Sequence, residues 1–172
     1  YGGGGATSGT PTYANDYVEI KNISSSPQSL NTLSLMYGSA AGNFASSATN
    51  AFVLPDVTLA PGQYYLVQLG TVGVGSPLPV TPDAVTTNMN LSAANGKVAL
   101  ATAAFPTNTC GGTATPCDAS QLALLVDWAA YGTGGNGPAG TGEGGNPSVN
   151  NGVSLTNTMG GVRKQNGCQD TD

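Results

Sequence analysis

The sequence contains no histidine. Imidazole is the usual general base near neutral pH, so its absence excludes Ser-His-Asp and Cys-His catalysis and every histidine-ligated metal centre. Charge is also scarce. Four Lys and Arg and nine Asp and Glu make up 8% of the chain, against about 25% in an ordinary soluble domain. The four cations form no long run, so they cannot neutralise the row of phosphates that nucleic-acid binding needs, and no direct nucleic-acid partner is expected. Long apolar runs are missing as well. The longest stretch, LALLVDWAAY from Leu122, is interrupted by Asp127 and is too short to cross a bilayer, so no membrane span is expected. The sequence opens at YGGGG from Tyr1 with no signal peptide in view, so any export segment is expected to have been removed or never to have been included.

The remaining routes to catalysis are lysine bases and paired carboxylates. Lys21 and Lys97 stand in strand contexts and are expected to be solvated. Asp16 and Glu19 are three apart on a strand, which aims them at opposite faces. The other acids are scattered over separate segments, and a glycosidase needs two that face one another. The glycines of GGGGATSGT from Gly2 lack the following lysine and helix of a phosphate loop. The chain is therefore expected not to be an enzyme.

What the sequence does have is 26 glycines and 3 cysteines. Cys110 and Cys117 bracket CGGTATPC, a loop pliant enough to bring its ends together, so a disulfide between them is the leading reading. Cys168 is the candidate odd thiol. Zinc is the alternative use of three cysteines, but no histidine and no C-x-x-C pair completes such a site. No cofactor is otherwise expected, calcium being the one candidate. Asp170 and Asp172 stand one residue apart in NGCQDTD, as ligands of calcium loops often do. Asp127, set among apolar residues, needs a hydrogen-bond partner and reads as structural.

Alternation of apolar and polar residues recurs along the chain, and no window sustains a helical repeat, so the class is all-β. NDYVEIKN from Asn15 is the clearest strand, with Val18 and Ile20 on one face and Tyr17, Glu19 and Lys21 on the other. SLNTLSLMY from Ser29 changes parity between Leu30 and Leu33, which predicts a bulge or bend. LAPGQ introduces QYYLVQLG from Gln63 through a turn centred on Pro61 and Gly62. KVALAT from Lys97 follows Asn95-Gly96 and reads as the second arm of a hairpin. QLALLVDWAAYG from Gln121 is apolar on both faces and is expected to be the most buried strand. Leu122, Leu124, Val126 and Trp128 would share one face, and Leu125, Asp127, Ala129 and Tyr131 the other. Weaker strands are expected at AFVLPDV from Ala51, GVSLTN from Gly152 and GVRKQ from Gly161. Loops fill 38–50, 70–88, 103–120 and the glycine-rich 132–151, while 1–14 reads as a flexible or edge segment. Residues 1–172 suit a single domain, and the strand spacing favours a β-sandwich.

Seven of these segments occur in an order that resembles the lamin tail domains of bacterial secreted proteins. They are YGGGG from Tyr1, YANDYVEIKN from Tyr13, SLNTLSLMY from Ser29, LAPGQYYLVQ from Leu59, NGKVAL from Asn95, VDWAAYGTG from Val126 and RKQNGCQDTD from Arg163. The resemblance implies an immunoglobulin-like β-sandwich with long glycine-rich loops. It implies no catalytic residues, because the tail domain is an interaction module in nuclear lamins and accompanies nuclease, phosphatase or adhesive domains in secreted bacterial proteins. Relatives often carry a further cysteine after the VDWAAYGTG segment. Its absence here implies that Cys168 is unpaired within the domain. They also carry edge strands before YGGGG and after QDTD that this chain lacks, and a sandwich short of edge strands invites pairing with another chain.

The expected function is that of an extracellular structural or interaction module, self-assembling into a filament or surface layer in its sharper form. The alternative is an accessory binding domain of a larger secreted nuclease or phosphatase. Its partners would be further copies of itself or an extracellular protein or glycan surface. Tyr13, Tyr17, Tyr37 and Tyr131 lie at strand ends or beside loops and are the candidate contacts, although tyrosines so placed also serve as core or corner residues.

Overall fold

The computed structural model describes residues 1–133 and 153–164, which form a mostly β structure with several small sheets and one short helix. The strands among the described residues are β1 (Asp16–Lys21), β2 (Gln28–Ser29), β3 (Leu33–Gly38), β4 (Ala51–Val53), β5 (Thr58–Leu59), β6 (Tyr64–Leu69), β7 (Ala84–Thr86), β8 (Gly96–Thr102) and β9 (Leu125–Tyr131). The helix is α1 (Ala119–Leu122). The sheets run β1-β6-β7, β2-β5 and β4-β3-β8-β9. All pairings are antiparallel except β6 with β7.

Period-two side-chain placement explains why the two larger sheets share a core. Val18 and Ile20 of β1 and Tyr65, Val67 and Leu69 of β6 point inward and meet Leu35 and Tyr37 of β3 and Val98 and Leu100 of β8 in one apolar cluster. The opposite face of the four-stranded sheet is not left to water. Met36, Ala99 and Ala101 pack there against Phe44, Phe105, Cys110 and Cys117 from the loops that follow β3 and β8. Alanine at 99 and 101 leaves room for that loop layer to sit close on the strand. Phe44 and Phe105 meet edge to face at 6.2 Å, and burying each side chain is worth roughly 1.5–3 kcal/mol. The Cys110–Cys117 disulfide lies within this second cluster, with its Cα atoms 4.7 Å apart.

Turn chemistry sets the strand boundaries. Gln63 N–H donates to Ala60 O at 3.0 Å, closing the turn in which Gly62 takes φ 76°, a conformation that disfavours any side chain with a Cβ. Between Leu30 and Leu33 the chain does not bulge within one strand. It turns, with Leu33 N–H on Leu30 O at 3.0 Å and Thr32 at φ 67°, so β2 and β3 belong to different sheets.

Other expectations need correction. Asn95-Gly96 does not make a hairpin, because β8 pairs with β3 and β9 and with no strand just before it. Gly96 is instead a close-approach residue, where a Cβ would fall 2.8 Å from the Tyr131 hydroxyl and 2.9 Å from the Tyr37 ring. Gln121 and Leu122 are helical rather than extended. Asp118 caps α1 by accepting from Gln121 N–H at 2.9 Å, while the Gln121 side chain accepts from Asp118 N–H at 2.9 Å, a reciprocal capping box. β9 is not the most buried strand: β3 and β8 are both more buried, β3 with only Leu33 short of full burial. The β8–β9 register shifts at Leu100/Ala101, pairing Leu100 with Asp127 and Ala101 with Leu125. Val126 is the extra residue, 48% exposed, and Leu125 joins Leu122, Leu124 and Trp128 against the second cluster. The described parts of the two weak strands, 153–157 and 161–164, form no strand.

Segment 1–14 is docked rather than loose. Gly5 N–H bonds Ala14 O at 2.9 Å, Val74 N–H bonds Ala6 O at 2.9 Å, and Tyr13 bridges Ser76. Most of the 132–151 loop lies outside the described residues, as do Cys168, Asp170 and Asp172.

Candidate ligand-binding cleft

The outward positions of β1 and β6 are Tyr17, Glu19 and Lys21, opposite Gln68, Leu66 and Tyr64. None of the six is buried, whereas Tyr65, Val67 and Leu69 between them are. This is the pattern of a sheet with one dry and one wet face. The loop before β7 partly covers the wet face. Asp83 fixes that loop by accepting from Leu66 N–H at 2.7 Å and donating its own N–H to Leu66 O at 2.9 Å. A cleft of about 120 Å³ results, lined on the sheet side by Tyr17, Glu19 and Leu66 and on the loop side by Tyr13, Leu78, Pro79 and Val80.

Its aromatic wall is held from behind. The Tyr13 and Tyr17 rings meet at 70° with centroids 5.8 Å apart, and Tyr1 stacks on Tyr17 at 5.4 Å while meeting Tyr13 edge-on at 5.5 Å. The Tyr1 hydroxyl donates to Asn157 O at 2.6 Å and accepts from Tyr13 N–H at 3.1 Å. Tyr1, held by these bonds, packs against both rings from behind. Burial, with Tyr13 and Glu19 nearby, pushes the Tyr17 hydroxyl above its ordinary pKa, so it is a neutral hydrogen-bonding group at physiological pH.

Asp16 anchors the same region from the dry side. Its carboxylate, 1% exposed, accepts from Gly4 N–H at 2.8 Å and Leu91 N–H at 2.7 Å. Desolvation outweighs these bonds and raises its pKa to about 6. The clamp holds the Tyr1–Gly4 strip along β1, with Tyr17 N–H on Tyr1 O at 3.0 Å.

The other candidate contacts are placed elsewhere. Tyr37 and Tyr131 are buried, and both serve the loop between β7 and β8: Ser92 N–H donates to the Tyr37 hydroxyl at 3.2 Å and the Tyr131 hydroxyl donates to Ser92 O at 2.9 Å. Of the four tyrosines, Tyr13 and Tyr17 line the cleft and Tyr37 and Tyr131 do not. Lys97 is not solvated, as its strand position suggested, but fully buried. It donates to Ser39 O and Ala40 O at 3.0 Å each and lies 5.8 Å from the Phe44 ring centroid. Desolvation lowers its pKa to about 8. Asp127 pairs with Arg163, which also reaches Trp128 O at 3.2 Å and so ties the 153–164 segment to β9.

Sequence reasoning missed Tyr1, Glu19 and the Leu78–Val80 side of the cleft. Only the isolation of Tyr1 before four glycines could have signalled a docking role. Among the described residues no group of three or more Cys, Asp or Glu converges as a metal site, and no helix is long and apolar enough to cross a membrane. The geometry offers stacking and hydrogen bonding, and brings no nucleophile and base together in the cleft. No protein-family model matches the chain, and a search of curated proteins finds no relative.

Proposed function

We propose that the chain is an extracellular, non-catalytic interaction module, built as an immunoglobulin-like β-sandwich of the lamin-tail kind. The observation that carries the reading is the asymmetry between the two larger sheets. The four-stranded sheet is covered on both faces, whereas the three-stranded sheet keeps an outward face that, among the described residues, carries the Tyr13–Tyr17–Glu19 cleft. The shared core of the two sheets supports the sandwich, and the Cys110–Cys117 disulfide supports an oxidising, extracellular setting. The test is binding of the fluorescently labelled chain to isolated bacterial envelopes. The wild type should bind, and Leu78→Asp, which sets a charge in the cleft, should not. Equal binding by both would refute the reading.

Self-association is a second reading with its own observation. The two outer strands of the four-stranded sheet expose valines, Val53 at 67% and Val126 at 48%, and exposed apolar edge strands are templates for pairing. Size-exclusion chromatography and negative-stain imaging should then show oligomers that Val53→Lys disperses, and a monomer at high concentration would sink this version. An accessory role beside a secreted nuclease or phosphatase would use the same cleft, and the genomic reading frame decides it.

A further inference from the structure

We infer that the Tyr13–Tyr17–Glu19 cleft is a saccharide subsite, sized for one pyranose ring of a neutral glycan. This rests on the reading of the outward face as a binding surface and names the class of ligand. A pyranose has an apolar face of C–H bonds and a rim of hydroxyls, so a protein that takes it up needs an aromatic or aliphatic wall with acceptors and donors at the edge. The cleft has both. Tyr13 and Tyr17 form a corner at 70°, against which a flat ring can stack on one side and abut on the other. Leu66, Leu78 and Val80 supply aliphatic surface, and the exposed Glu19 carboxylate stands two residues from Tyr17 on the same face, within the lining.

Three further observations favour this ligand over others. The volume of about 120 Å³ is that of a pocket for one ring rather than a groove for an extended peptide. The one charged lining group is an acid, which would repel phosphates and sulfated or uronic-acid polymers. Both rings pack against Tyr1, which is itself held by its hydrogen bond to Asn157 O, a backing that reduces the side-chain freedom lost on binding. Along the sheet from Tyr17, the Lys21–Tyr64 row lies four residues away, roughly 13 Å at strand spacing. Tyr64 is exposed, with the Lys21 Nζ 4.9 Å above its ring, and could meet a second sugar of the same strand.

The experiment is affinity electrophoresis of the whole chain through gels containing dextran, mannan, xylan, β-glucan or galactan. It is paired with the envelope-binding assay after periodate oxidation, which cleaves sugar diols, or after protease treatment of the envelopes. At least one neutral polysaccharide should retard the wild type. Tyr17→Ala should weaken that retardation about tenfold, the scale of losing one ring contact, and Glu19→Ala, at an exposed position outside the core, should weaken it several-fold. Thr107→Ala, exposed in the loop that follows β8 and outside the cleft lining, should bind as the wild type does. Envelope binding should be lost to periodate and survive protease. Retardation by none of the polysaccharides, or retardation indifferent to both cleft variants, overturns the saccharide assignment. Envelope binding that depends on Leu78 and Tyr17 but is lost to protease and survives periodate also overturns it, leaving a protein-binding module in its place. Binding indifferent to Leu78→Asp overturns the module reading itself.

Discussion

Replacing Asp16 by Asn should change how the fold responds to pH as well as how stable it is. The buried carboxyl has its pKa raised from 3.8 to about 6 by desolvation, with the Leu91 and Gly4 N–H bonds offsetting only part of the penalty. The folded state therefore prefers the neutral acid. Its contribution is fully present below the unfolded value of 3.8 and is lost as pH rises through about 6. At about 1.4 kcal/mol per pKa unit, the rise from 3.8 to about 6 corresponds to about 3 kcal/mol. Asparagine does not titrate. Its carbonyl can accept one of the two N–H donors and its amide confronts the other, a cost of about 1–3 kcal/mol that is the same at every pH. Urea unfolding followed by the fluorescence of Trp128, at intervals from about pH 4 to about pH 7, gives the stability of both proteins. The advantage of the wild type over Asp16→Asn should be largest near pH 4 and shrink by about 3 kcal/mol by pH 7. Taking the difference cancels the other carboxylates. A difference that stays constant, or grows with pH, would refute the account of Asp16 as a carboxyl that is buried at a cost.

Two more outcomes follow from buried groups. Lys97 has its pKa lowered from 10.5 to about 8 by desolvation, so the fold bears the penalty of the ammonium below about pH 8 and is relieved of it as pH rises toward the unfolded value. The stability of the wild type relative to Lys97→Met should therefore improve between about pH 8 and about pH 10, by up to about 3 kcal/mol, and a flat difference in denaturant unfolding would count against it. Removing the Cys110–Cys117 link, which closes a loop of sequence separation 7, should cost about 2.5 kcal/mol from loop-closure entropy. Unfolding of the Cys110→Ala/Cys117→Ala double variant checks this.

Much of the β content was legible because β1 and β6 are half-buried and obey period two cleanly. In Tyr64–Leu69 every second residue is buried. The disulfide was legible because the loop that it closes is short and local. Difficulty began where a third layer covers a sheet. In Lys97-Val98-Ala99-Leu100-Ala101 the alternation correctly separates two faces, but lysine and alanine look like the wet one. Only the arrival of Phe44 from the loop after β3, and of Phe105 and the disulfide from the loop after β8, buries that face. In β9 the extra residue Val126 shifted the face of Leu125, which a periodicity argument cannot anticipate without knowing the partner strand. The Asp118-x-x-Gln121 capping box was a local signal for α1, hidden by the apolar run that follows it. In the cleft, Tyr13 and Tyr17 were legible as candidates. Nothing in their local sequence separates them from Tyr37 and Tyr131, whose hydroxyls are consumed by Ser92 from 39 to 55 residues away.

The covering of β8 has a kinetic consequence. This strand has neighbours on both edges, the inter-sheet core on one face and the disulfide-bearing loop layer on the other. Its backbone amides have no route to solvent through fraying of an edge or lifting of a single loop. They should exchange their hydrogens only when the whole molecule opens, so the slowest amides of Val98 to Ala101 would time global unfolding while β4 and β7, three residues each at sheet edges, exchange ahead of them.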